Sequence, residues 1–277
     1  MHANYGLYAY GLVSAIPQQL DILGIDQQHK VYAVAERGLS VIVSVVDIDQ
    51  FQRQVKSLLA ALTRATSPTD TEAGAILQAH ENVMEALLQH TTIVPLQFGT
   101  IVKDEAAAIR MLQEHEAEFK RLLTELKGKV ECGLKVYVDK QALIKHLAQV
   151  DPQFSRPEEQ RRKVSRGAAY LLARKVEEKL KDQATTQVAQ ISEKIFQELS
   201  KEAVEAKQNT ILPQRLTGKK EEMILNAAYL VEREKVAHFE QQTKKCLEQY
   251  ADMGLTLEIS NPRPPYSFSS NVNTDQQ

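Results

Sequence analysis

Between Leu39 and Asp47 the chain reads Leu-Ser-Val-Ile-Val-Ser-Val-Val-Asp, and no other stretch constrains the fold as tightly. Side chains alternate across a strand, so Leu39, Val41, Val43 and Val45 share one face, opposite Ser40, Ile42, Ser44 and Val46. One face is wholly apolar and the other mixed, which places this strand well inside a sheet. A second β-rich run, residues 30–36, precedes it, and Arg37-Gly38 between them suits a tight hairpin. Tyr5–Val13, rich in Tyr, Leu and Val, adds a further strand.

Helical periods follow. Residues 50–62 form a first candidate helix, broken by Ala65-Thr66-Ser67-Pro68. Ser67 is then placed as an N-cap with Pro68 at the first helical position and Asp70 three residues on. Ile76, His80, Val83 and Leu87 make a stripe along the next helix, to residue 89. Residues 92–98 return to strand, and Pro95 favours an edge position or a bulge. Ala108, Leu112, His115, Phe119, Leu122 and Leu126 step by 4, 3, 4, 3 and 4, predicting one helix over 103–127 that Gly128 ends.

A second cycle starts at Val130. Cys132, Leu134, Val136 and Val138 alternate with Gly133, Lys135 and Tyr137 as a half-buried strand, and Asp139 can cap a short helix, Lys140–Val150. Ser155 and Glu158 have capping-box spacing at the head of a long charged helical tract, 158–206. Its apolar positions drift from a strict heptad, so a helical hairpin or a kinked helix is expected there. Residues 223–231 are apolar and ambiguous, with strand preferred. Residues 236–250 read as helix, Leu255–Ile259 as the last strand and 271–277 as a polar, disordered tail.

The fold class expected is α+β in two domains: 1–127, then 128–262, with 263–277 as a Pro-rich ending and tail. The second domain, β–α–β–α–β with one strand short, is compatible with a modified ferredoxin-like fold carrying long helices.

Composition narrows the function. The 277 residues hold 34 Lys+Arg against 36 Asp+Glu, a net charge of −2, which argues against a chain-wide grip on nucleic acid or acidic membrane. The basic cluster Arg161, Arg162, Lys163 and Arg166 lies among Glu158, Glu159, Glu177 and Glu178, as a solvated helix end does. Two cysteines, Cys132 and Cys246, cannot build a disulfide framework, and no apolar run reaches the roughly 20 residues of a membrane span. A cytoplasmic location is expected. The seven histidines form no HExxH pair, and Gly6-x-x-x-x-Gly11 lacks the Lys-Ser/Thr of a phosphate loop. No cofactor, metal or catalytic set is expected, and His80 and His115 read as hydrogen-bonded residues at the core boundary.

Three stretches go further. They are Tyr5-Gly6-Leu7-Tyr8-Ala9-Tyr10-Gly11; His80-Glu81-Asn82-Val83 through Ile93-Val94-Pro95-Leu96-Gln97-Phe98-Gly99-Thr100; and Asn226-Ala227-Ala228-Tyr229-Leu230-Val231, followed by Pro262-Arg263-Pro264-Pro265-Tyr266-Ser267-Phe268. In this order and spacing the chain resembles the gas vesicle protein GvpL/GvpF family from about Tyr5 to Phe268. Gln97 stands where that family commonly has Arg, and Arg263 where an aromatic is usual. The resemblance implies two α+β domains, the second a modified ferredoxin fold, and a role as a minor component or assembly factor of gas vesicles. It also implies association with the hydrophobic shell subunit GvpA and with other vesicle accessory proteins. An apolar, strand-forming subunit needs protection before assembly, and an edge strand around Val94, Leu96, Gln97 and Phe98 could supply it. Ordinary core is the competing reading for Val94, Leu96 and Phe98. A helical adaptor using 158–206, or an enzyme of ferredoxin-like fold, competes at the level of function.

Overall fold

A computed structural model describes residues 4–14, 21–63, 72–150, 154 and 165–269. The chain forms two compact units: Met1–Cys132 joined by the C-terminal stretch that begins at Asn261, and Gly133–Ser260. Where the sequence divides the chain at 127/128 and sets 263–277 apart, the structure divides it after Cys132 and returns the C-terminal stretch to the first unit.

In the first unit β1 (Tyr5–Val13), β2 (Tyr32–Glu36), β3 (Leu39–Asp47) and β4 (Ile93–Pro95) run in the order β2-β3-β1-β4, and β5 (Ile101–Val102) also pairs with β1. β3 lies between β2 and β1, as its two-faced pattern requires, and even Ser40 and Ser44 are buried. Arg37 (φ 48°) and Gly38 (φ 77°) both adopt positive φ, the backbone that a two-residue hairpin needs to match strand twist.

The register of β1 against β3 shifts between Ala9 and Gly11, and Gly11 lies opposite Pro95 of β4. A Cβ on Gly11 would stand 2.8 Å from both the Ile93 side chain and the Val94 carbonyl oxygen. Backbone cannot yield as a side-chain tip can. Gly11→Ala is therefore expected to destabilise the protein by about 2 kcal/mol, read as an earlier urea midpoint at unchanged slope.

The helices of this unit are α1 (Ile48–Thr63), α2 (Glu72–His90), α3 (Glu105–Glu114) and α4 (Glu116–Glu125). The single helix expected over 103–127 is thus two, parted at His115, whose φ −109° and ψ 17° leave the helical region. The apolar stripe survives the break because Phe119 N still donates to His115 O, and Ala108, Leu112, Phe119, Leu122 and Leu126 all stay buried. His115 itself is partly exposed, its ring tilted on Phe119 at 5.4 Å. β4 is shorter than 92–98: after Pro95, Thr100 N and Oγ1 both donate to Gln97 O, and Gly99 turns the chain at φ 92°.

In the second unit β6 (Lys129–Val138, entering from the first unit), β7 (Glu205–Gln208), β8 (Glu222–Glu232) and β9 (Leu255–Ile259) run in the order β7-β8-β6-β9. α5 (Lys140–Val150) and α6 (Arg166–Ser200) separate the first two strands, and α7 (Val236–Glu248) the last two. This is the ferredoxin-like β–α–β–β–α–β order, with the first and third strands at the centre. The strand lacking in the sequence reading is β7, Glu-Ala-Lys-Gln, which has no apolar alternation because it is a solvated edge. Helix therefore stops at Ser200 rather than running to 206. Over Arg166–Ser200 it is one helix of 35 residues, about 52 Å long, not a hairpin. Its buried residues, Leu180, Ala184, Ile191, Ile195 and Leu199, all lie in the later part, and Ser192 Oγ donates to Ile224 O at 2.7 Å. Asp139 caps α5 as expected, Oδ1 accepting from the Gln141 and Ala142 amides at 2.8 and 3.2 Å. The Ser67-Pro68 cap, the Ser155/Glu158 box, the basic residues Arg161, Arg162 and Lys163 and the tail 271–277 lie outside the described residues.

Candidate functional site

Tyr8 and Tyr10, two apart on β1, turn to the same face and meet one side chain of α2. That side chain is His80, 2% exposed, with its ring stacked on Tyr10 at 5.8 Å. Tyr8 Oη lies 2.9 Å from His80 Nδ1, and Tyr266 Oη lies 2.8 Å from Nε2. Gly99 N donates to Tyr8 Oη at 3.3 Å, which leaves the phenol hydrogen for Nδ1. A neutral imidazole donates from one nitrogen and accepts at the other, so Nε2–H then donates to Tyr266. Burial pushes the His80 pKa down to about 4, keeping the ring neutral near pH 7. Burial likewise raises the phenols of Tyr8 and Tyr266, and Tyr10 to about 12. Phe98 and Phe51 close the cluster edge-on.

A second polar joint lies at the start of β6. Glu131 is fully buried, and its Oε1 accepts from Arg263 Nε (3.1 Å), Arg263 Nη2 (2.6 Å) and Ser267 Oγ (3.0 Å). Ser267 N donates to Oε2 at 2.7 Å. The backbones of Glu131 and Arg263 also exchange two hydrogen bonds, at 2.8 and 3.0 Å. A buried carboxylate survives without water only when its lone pairs are filled in this way. Ser269 Oγ then donates to Pro95 O at 3.2 Å. The ending 263–269 is thereby tied to β6, α2 and β4.

The residues that carried the resemblance thus assemble one buried joint: Tyr8, Tyr10, His80, Phe98 and Tyr266. What this arrangement does chemically is hold position. With Tyr8 unexposed and His80 nearly so, no substrate reaches the imidazole. The hydrogen-bonded reading of His80 holds, but the ring lies inside the core rather than at its boundary. Sequence reasoning missed Glu131, Ser267 and Ser269. The available signal was a lone carboxylate, Glu131, inside an apolar run at 130–132.

Of the four expected contact residues, Val94 and Leu96 are 0% and 2% exposed and belong to the core. Gln97 is exposed and Phe98 half-buried, its ring 5.3 Å from His80. β4 does lie at the sheet edge. Because Leu96 N donates inward to Tyr10 O, the Pro95 carbonyl points outward, where Ser269 takes it. Cys132 and Cys246 are both buried, and burial pushes the Cys246 thiol up to about 12. Among the described residues no group of three His, Cys, Asp or Glu could hold a metal, and no helix is long and apolar enough to cross a membrane.

The family model described as gas vesicle synthesis protein GvpL/GvpF matches residues 6–270. Gas vesicle protein L of a Streptomyces species is 29% identical over 198 residues, covering 72% of this chain and 70% of the relative. Gas vesicle protein F1 of Halobacterium salinarum is 24% identical over 275 residues, covering 98% and 96%. The crystal structure of GvpF from an Anabaena species matches the fold with a TM-score of 0.66 at 22% identity, covering 96% of each chain. That of GvpF from Microcystis aeruginosa gives 0.65 at 21%, covering 95% and 98%.

Proposed function

We propose, for a chain that belongs to the gas vesicle synthesis protein GvpL/GvpF family and so has a role in gas vesicles, that it binds the shell subunit GvpA during vesicle formation. It acts there as an assembly factor or minor component, in the cytoplasm where vesicles are built, alongside other vesicle accessory proteins. The family is one of structural and assembly proteins, and we assign this chain no catalysis. A small hydrophobic, strand-forming subunit aggregates through its open edges and apolar face unless a carrier covers them.

The observation that supports the contact is the turn after β4. Gln97 is exposed beside half-buried Phe98, and the turn is held rigid from beneath by the Gly99–Tyr8–His80 hydrogen bonds. Val94 and Leu96 serve the contact by anchoring that turn in the core. A pre-shaped polar–aromatic turn loses little entropy on binding. Capture of purified GvpA by the immobilised chain is the test. Gln97→Glu, which disturbs no packing, is expected to weaken capture at least fivefold at unchanged melting temperature. Capture that is the same for wild type, Gln97→Glu and Phe98→Ala sinks this assignment of the contact surface.

A further inference from the structure

We infer that the outer edge of β9 is a docking site for an extended segment of another protein, one that carries apolar side chains at alternate positions. The site lies in the second unit and stands whether or not GvpA binds the first, so it goes beyond the reading above.

Every sheet edge leaves a row of backbone N–H and C=O groups open to pairing, and natural proteins guard such rows. Three of the edges here are guarded. At β4, Pro95 has no N–H to offer and its carbonyl is taken by Ser269. At β2, Gln113 of α3 donates to Glu36 at 2.9 Å, and Arg37 reaches Glu116 of α4. β7 carries Glu205 and Lys207, both exposed, along its four residues.

Of these devices β9 has only a single charged residue, Glu258. Its sequence is Leu255-Thr256-Leu257-Glu258-Ile259, free of proline and, among the described residues, paired with β6 alone. Ser260 N donates to Gly133 O and Asp139 N donates to Gly254 O, both at 2.9 Å. Backbone groups alternate in direction along an antiparallel strand, so those of Thr256 and Glu258 also face β6. Those of Leu255, Leu257 and Ile259 face away. Among the described residues, these three N–H and three C=O groups meet no backbone partner.

Side chains give the same answer. Leu255, Leu257 and Ile259 lie opposite Val138, Val136 and Leu134, so they share the face of those fully buried residues, yet each is itself only half-buried. The apolar core therefore ends in a row of leucine and isoleucine at the rim, which one more strand would cover. The single charge on the edge is neutralised within the fold: Glu258 pairs with Lys219 at 2.7 Å and accepts from Tyr137 Oη at 3.0 Å. Only a strand presents N–H and C=O groups at the matching repeat, and only alternate apolar residues continue this face. That defines the occupant.

The test uses the full chain and a fluorescent, end-blocked nine-residue peptide of alternating Val and Thr, with a control peptide bearing Pro at every second position. The alternating peptide is expected to bind saturably and the control at least tenfold more weakly. Leu257→Pro removes one outward N–H and leaves the β6 ladder intact, a position where edge strands tolerate proline. It is expected to reduce peptide affinity at least tenfold. Amide exchange on the unsubstituted protein reads the same site without any variant. The amides of Leu255, Leu257 and Ile259 are expected to exchange quickly alone and slowly with peptide, while those of Thr256 and Glu258 stay protected throughout. Equal binding of both peptides, or no new protection at these three amides, overturns the proposal. So does a wild-type dimer whose formation already protects them, since the occupant is then a second copy. Failure of GvpA capture with peptide binding intact removes only the reading of the first unit.

Discussion

Replacing Glu131 by alanine is expected to lower the unfolding free energy by about 3 kcal/mol, among the larger effects a single side chain can have here. The carboxylate is fully buried and collects four hydrogen bonds, three on Oε1 and one on Oε2. Removing it leaves the Ser267 amide and the Arg263 guanidinium without their acceptor. Breaking one side of a buried pair costs more than the pair itself contributes, because the remaining group stays desolvated. Arg263 is 42% exposed and can turn to water, so Arg263→Ala is expected to cost less than Glu131→Ala. Urea unfolding of both variants measures the order. Equal midpoints for wild type and Glu131→Ala would show that the Glu131 carboxylate contributes nothing to the first unit.

Acid should loosen the same unit through a different residue. His80 has a folded pKa pushed down to about 4 by burial, against about 6.5 in an unfolded chain. Between those values the unfolded state binds a proton that the folded state excludes, so stability falls as pH falls. The contribution is complete above about pH 6.5 and is lost on the way to pH 4, where a difference of about 2.5 pK units corresponds to about 3 kcal/mol. Protonation also turns Nδ1 into a donor facing Tyr8, whose own hydrogen already points there. Other groups titrate in this interval, so the measurement is the difference between wild type and His80→Gln. That difference is expected to shrink by about 3 kcal/mol from pH 7 to pH 4, and parallel pH–stability curves would remove His80 from the account.

Much of the local structure was legible in the chain. Leu39–Asp47, Lys140–Val150 and Leu255–Ile259 have the bounds their patterns implied, and the Arg37-Gly38 turn has the backbone its residues permit. In each case a burial pattern of period 2 or 3.6 coincides with a local stop such as Gly38, Asp139 or Gly254. Where no such pattern exists the reading failed for the same reason. β7 is Glu-Ala-Lys-Gln at an edge, three polar residues and one alanine paired to β8 by the backbone ladder, so its side chains carry no apolar period. The break at His115 leaves the apolar stripe unchanged and is invisible to any argument from spacing.

The candidate site was legible in its parts and not in its assembly. Tyr8, His80, Phe98 and Tyr266 stood out, but nothing in the chain says that one imidazole joins two phenols. The four contact residues were chosen for an edge position that β4 does occupy, yet Val94 and Leu96 turn inward.

The sequence by itself determined the longer strands, the places of most helices, a second half compatible with a ferredoxin-like fold, and the family resemblance. Those depend on which face of each element is apolar, a property written locally. Only the tertiary structure decided that Glu131 meets Arg263 across 132 residues, that the ending returns to the first unit, and that β9, among the described residues, pairs with β6 alone. A hydrogen bond needs two groups at one point, and the point is set by how every intervening element packs. A free edge is likewise a property of the neighbours a strand does not have.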